Sequence, residues 1–82
     1  MAKYLDHHKV VQMPPQAAQK MIGDIKAGRA DSSGVKPLNA FIAKNEMWCL
    51  AEAPNVDTIC KAHEAYGLKL GKGDVMEVNT LV

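Results

Sequence analysis

The chain has 82 residues, ten Lys and Arg against nine Asp and Glu, and a formal charge of +1 with neutral histidines. Its size gives one expected domain spanning 1–82, with roughly 63% of the extended chain's surface buried on folding, too little for a two-domain enzyme cleft. The basic residues are scattered, and no 18-residue apolar stretch occurs, so neither nucleic acid nor a membrane is an expected partner. Met1 to Lys9 has no apolar core of the secretory type, and the cytoplasm is the expected compartment.

In chain order, Lys3 to His8 reads as a first strand. Pro14 and Pro15 suit a helix start. From Gln16 to Ala27, Ala17, Met21 and Ile25 recur every four residues, the mark of one apolar helix stripe. Gly28 is its expected stop. Asp31-Ser32-Ser33-Gly34 is a turn. Val35 to Lys44 reads as a second strand, with Pro37 favouring a sheet edge. Asn45-Glu46 reads as the tight turn before a third strand, Met47 to Ala53. Asn55 is the expected cap of a second helix, with Asp57 in its first turn and a stripe of Val56, Ile59, Cys60 and His63, ending at Gly67. Asp74 to Asn79 reads as the last strand.

The order βαββαβ predicts an α+β, ferredoxin-like antiparallel sheet of order 4-1-3-2, with two helices on one face. The other face has no chain segment to cover it. Alternation assigns Leu5, Leu38, Ala40, Ile42, Cys49, Ala51, Met76 and Val78 to the helix side. Tyr4, Asp6, His8, Phe41, Trp48, Leu50, Glu52, Val75 and Glu77 fall on the open side. An open face carrying Tyr4, Phe41 and Trp48 marks an interface, and the expectation is a homodimer packed through its sheets.

Three histidines carry the strongest chemical signal. His7 and His8 are adjacent on a strand and must point to opposite faces. Two clusters follow. One is His8 with Asp6, Glu52 and Glu77. The other is His7 with His63 and, one turn before it, Cys60. Imidazole, carboxylate and thiolate together suit a divalent transition metal, so the candidate ligands are His7, His8, His63, Glu52 and Cys60. Cys49 and Cys60 are expected as free thiols, with Cys49 a small buried hydrophobe. No CxxC, dinucleotide fingerprint, phosphate loop or serine-centred motif is present, and no nucleotide cofactor is expected. Two alternatives stand beside metal binding. One is a monooxygenase-like enzyme with a small apolar substrate in a dimeric sheet cleft, with His8 as base. The other is a non-catalytic interaction or structural module.

The opening Met1-Ala2-Lys3-Tyr4-Leu5-Asp6-His7-His8 resembles that of the DUF4242 family of small proteins. So do Trp48-Cys49-Leu50-Ala51-Glu52-Ala53-Pro54, Val56, Ala62-His63-Glu64-Ala65-Tyr66-Gly67-Leu68 and the closing Val75-Met76-Glu77-Val78. The resemblance implies a ferredoxin-like fold dimerised through its sheets. It also implies nickel held by histidines, mapping onto His7 or His8 and onto His63, with zinc equally suited to the donors. It implies no established reaction. Family members carry histidines in the first helix; Gln16 to Ala27 has none.

Overall fold

Tyr4, Asp6 and His8 point to one side of β1 (Ala2–Lys9), and all three are buried. That choice of side governs the rest of the molecule. The computed structural model describes residues 1–9, 13–65 and 67–81; part of the connection after β1, and Tyr66, lie outside them. The remaining elements are α1 (Pro15–Ala27), β2 (Lys36–Ala43), β3 (Glu46–Ala53), α2 (Val56–Glu64) and β4 (Val75–Val78). The four strands form one antiparallel sheet in the order β2-β3-β1-β4. This is the expected ferredoxin-like order, read from the opposite edge.

β3 alternates cleanly: Met47, Cys49, Ala51 and Ala53 are buried under the helices, and Glu46, Trp48, Leu50 and Glu52 are half-buried on the other face. β2 is an edge strand, as Pro37 requires, because proline has no N–H for a second neighbour. Its register against β3 jumps between Pro37 and Asn39, a bulge at Leu38. The hairpin turn sits one residue earlier than expected, at Lys44-Asn45, and Lys44 takes a left-handed φ of +58°.

Pro14 and Pro15 open α1, and Gly28 closes it in the left-handed conformation, its N–H bonded back to the Ile25 carbonyl. Ala17 and Asp24 are its buried residues. Asp24 is tolerated there because Lys20 and Arg29 hold its carboxylate at 2.7 and 3.1 Å. Asn55 caps α2 as expected, accepting from the Thr58 N–H at 2.9 Å. The helix ends at Glu64, earlier than Gly67. The chain then turns through left-handed Gly67, and the Leu68 N–H bonds to the His63 carbonyl at 3.0 Å. This turn drops Leu68 and Leu70 into the core.

The core groups Tyr4, Val35, Ala51, Ala53, Ile59, Ala62 and Leu70. The side assignment of two strands is therefore corrected. Pairing sets Tyr4 opposite Ala51 and Asp6 opposite Cys49, so β1 presents Tyr4, Asp6 and His8 to the helices. Val75 lies opposite Asp6 and packs on the core, so β4 is reversed as well. Leu5, Met76 and Val78 move to the open face instead. The reason is the period of two: an error of one residue in register exchanges the faces of a whole strand. β1 is polar on both sides, and its hydrophobic pattern does not choose between them.

Candidate metal centre

Asp6 and His8 are two apart on β1 and share its covered face. Cys49 lies directly across the ladder from Asp6 on β3. α2 crosses above this pair, anchored by Ile59 and Ala62 in the core, and the next residue, His63, hangs down onto it. One donor atom from each of Asp6, His8, Cys49 and His63 lies within 4.8 Å of every other. Asp6, His8 and Cys49 are buried, and the His63 side chain is 12% exposed.

The histidines are aimed by backbone carbonyls. His63 Nδ1–H donates to the Ile59 carbonyl at 2.8 Å, one turn back along α2. His8 Nδ1–H donates to the Lys9 carbonyl at 2.9 Å. A carbonyl only accepts, so Nδ1 carries the proton in both rings. Each neutral ring then turns a bare Nε2 lone pair inward. His8 Nε2 is 3.8 Å from Cys49 Sγ and 4.0 Å from Asp6 Oδ1. His63 Nε2 is 3.3 Å from Asp6 Oδ1. The two rings meet edge to face with centroids 5.7 Å apart.

Asp6 is 1% exposed, and both its carboxylate oxygens are buried without an aligned hydrogen bond; the His63 approach is within ion-pair reach but not aligned as one. Burial alone would lower the His63 pKa, but the Asp6 carboxylate, helped by the Ile59 carbonyl, outweighs it and raises the value. Burial, and then the Asp6 charge, push the Cys49 thiol far up, so without a cation it stays protonated. These are four electron-rich groups around one point, and their mutual repulsion is relieved by a proton or by a metal ion. Ligands supported by a second hydrogen bond to carbonyl are the usual arrangement at metal-binding histidines. The site can hold a cation through two nitrogens, one sulfur and one oxygen.

The structure brings together His8 and His63 of the expected ligands, with Asp6, expected beside His8, and Cys49, expected only as a buried hydrophobe. His7, Glu52 and Cys60 are placed elsewhere. His7 faces the open side, stacked on Trp48 with ring centroids 4.9 Å apart and bonded to Glu46 at 2.8 Å. Glu52 lies opposite Lys3 on the same open face. Glu77 is exposed on the edge strand β4. Cys60 is half-buried on α2 outside the cluster, its thiol pKa raised by burial and by Asp57. Both cysteines are free thiols. His63 finds His8 because β1 turns the other way up. Cys49 was legible only as an apolar residue, and the pairing that sets it across from Asp6 is its signal.

No protein-family model matches the chain, and no curated protein matches it. Among solved structures it is similar to the crystal structure of SCO4226 from Streptomyces coelicolor A3(2), with a TM-score of 0.68 and 20% identity over 99% of this chain and 100% of that chain. At that identity the likeness speaks for the fold alone: an α+β ferredoxin-like sheet with its helices on one face.

Proposed function

We propose that the protein binds a divalent transition metal, zinc or nickel, through Asp6, His8, Cys49 and His63. One observation carries this reading. Four donors from three elements converge within 4.8 Å, and the convergence includes a buried carboxylate with neither oxygen hydrogen-bonded. An unpaired buried carboxylate costs several kcal/mol unless something compensates it, and a cation at the centre does so. Three of the six donor–donor edges, at 3.3, 3.8 and 4.0 Å, approach the roughly 3.3–3.7 Å edges of a tetrahedron with metal–ligand bonds of about 2.0–2.3 Å, and the others lie within 4.8 Å. That geometry favours zinc; the family resemblance favours nickel. The ion would tie α2 to the sheet.

The test is metal analysis of tag-free protein, followed by zinc and nickel titration of wild type, His8→Ala and His63→Ala. Stoichiometric binding that both substitutions abolish is expected. Stoichiometric binding that survives either substitution unweakened would overturn the assignment.

The open face supports a second element of the reading, pairing with another copy of the chain. Leu5, Phe41, Trp48, Leu50, Met76 and Val78 lie on it, with Phe41 50% and Met76 59% exposed. The accessible surface of 5284 Å² exceeds the roughly 4,800 Å² expected of a monomer of this mass. A dimeric mass by light scattering is expected at micromolar concentration, and a monomeric one would sink this part alone.

A further inference from the structure

Two hollows flank the donor cluster. The first lies between α1 and α2 above β3, opens to solvent, and has Asp6, Cys49 and His63 in its wall. The second lies at the end of β1, where His7, His8 and Lys9 meet Glu46, Lys69 and Asp74. Asp6, His8 and Cys49 are buried, and the His63 side chain is 12% exposed. An ion therefore reaches them through one of these hollows or through a local opening of the fold.

Donor access separates the two. The first hollow touches three of the four donors, and the second touches only His8. There His8 uses Nδ1 on the Lys9 carbonyl, while its Nε2 faces Asp6 and Cys49. Charge separates them further. Among the described residues, Asp6, Asp24 and Asp31 line the first hollow, and no lysine or arginine does. Lys20 and Arg29 neutralise Asp24, but Asp31 makes no ion pair with the described residues. Asp31 accepts from the Ser33 and Val35 amides at 2.8 and 3.0 Å, which fixes its carboxylate without cancelling the charge. In the second hollow Lys9 and Lys69 balance Glu46 and Asp74. The local field thus draws a dication toward the first hollow and not toward the second. Met21 of α1, half-buried, stands in the wall of the first. Its unbranched side chain has three rotatable bonds and can move aside.

We propose that a divalent cation enters and leaves the cluster through the hollow between α1 and α2, with Asp31 drawing it in and Met21 setting the width of the passage. The inference rests on the metal-binding reading above and adds to it what controls the rate of exchange. A passage is crossed in both directions. Widening or narrowing it scales entry and exit by one factor and leaves the dissociation constant where it was. A ligand behaves otherwise, since its loss weakens binding itself.

The experiment mixes metal-free, full-length protein with Co(II) in a stopped-flow instrument and follows the visible bands of the bound ion. Excess EDTA, at concentrations where the rate no longer depends on it, then reads the exit. Met21→Ala should raise both rates about threefold or more, and Met21→Phe should lower both, with the dissociation constant within about twofold of wild type. Asp31→Asn keeps an oxygen for the two amides and should slow entry about threefold at low salt, a deficit that shrinks at about 1 M salt. Lys69→Gln, in the second hollow, should leave both rates unchanged. Co(II) that fails to bind the wild type overturns the metal reading and this inference with it. Co(II) that binds but exchanges at wild-type rates in folded Met21→Ala, or enters Asp31→Asn at the wild-type rate at low salt, overturns this inference alone. So does a Met21 variant that changes only the exit rate, or a Lys69→Gln protein whose entry speeds up as much as Met21→Ala does.

Discussion

His7 and His8 are neighbours in the chain, yet they occupy opposite faces of one strand and serve opposite ends. His7 lies on the open face, its ring stacked on Trp48 and its Nε2 on Glu46, whose other oxygen takes the Lys9 ammonium. Both oxygens of the Glu46 carboxylate have a cationic or imidazole partner there, and solvent reaches the group. His8 lies under the helices, its Nδ1 used by the Lys9 carbonyl and its Nε2 left facing Asp6 and Cys49. The open face is paired and polar at its rim; the covered face holds a polar group that lacks enough protons or partners. Burial teaches the difference. Exposed charges near one another are screened and worth little, whereas buried donors around an unpaired carboxylate generate a demand for a cation.

The largest test of this contrast compares the two histidines directly. His8→Ala and His63→Ala should weaken zinc or nickel binding by more than the roughly 10- to 100-fold that loss of a supporting hydrogen bond costs. His7→Ala should leave it within about twofold, because His7 touches none of the donors. Isothermal titration reads both. Equal losses in all three variants would erase the distinction between the faces.

Next in size is stability. A ligand at 100 times its dissociation constant adds about 2.7 kcal/mol, and each kcal/mol moves the Tm of a domain of this size by about 4–8 °C. Calorimetry should show zinc raising the Tm by roughly 10–20 °C in wild type, with most of that gain gone in Asp6→Asn.

The pH dependence sharpens the assignment further. The folded-state pKa of His63 lies above its ordinary 6.5, so the metal-free fold is favoured by that proton below about pH 6.5. The contribution is lost as the pH rises through the raised value. Metal affinity should run the other way, rising over the same interval, because the ion displaces the His63 Nε2 proton. The Cys49 thiol gives up another, so about two protons should appear per ion bound below the raised His63 value and about one above it, in weakly buffered solution. NMR titration of the His63 ring in Asp6→Asn should place its pKa below the wild-type value, since the neutral amide no longer favours the cation.

The smallest effects belong to the open face. Lys9→Ala should change stability by less than about 1 kcal/mol in chemical denaturation, as an exposed ion pair does. Phe41→Glu should shift the mass measured by light scattering from dimer to monomer without altering metal affinity.

Much of the fold is legible in the sequence. The four-residue stripe of α1, the Asn55 cap and the Pro37 edge each follow from a local signal with one physical cause, and the sheet order follows from the βαββαβ pattern. The sides of β1 and β4 are not. β1 carries Leu5 and two polar residues on one face, and Tyr4, Asp6 and His8 on the other; neither face is the obvious core. A strand that buries an aspartate and a histidine departs from the hydrophobic rule, and such departures gather at functional sites. The wrong side sent His7 toward His63 and set Glu52 beside His8. The right side brings His8 to His63 and leaves Glu52 on the open face, opposite Lys3.

The sequence by itself determined the element order, the ferredoxin-like architecture and the presence of three histidines and two thiols to draw upon. Periodicity and capping are local, and each reports on its own few residues. The tertiary structure alone decided which of those groups meet. The Asp6–Cys49 register joins residues 43 apart in the chain, and α2 brings His63 across to them. Such juxtaposition depends on strand pairing and helix packing at once, and in a strand of period two a single residue of register decides whether a histidine faces water or the cluster.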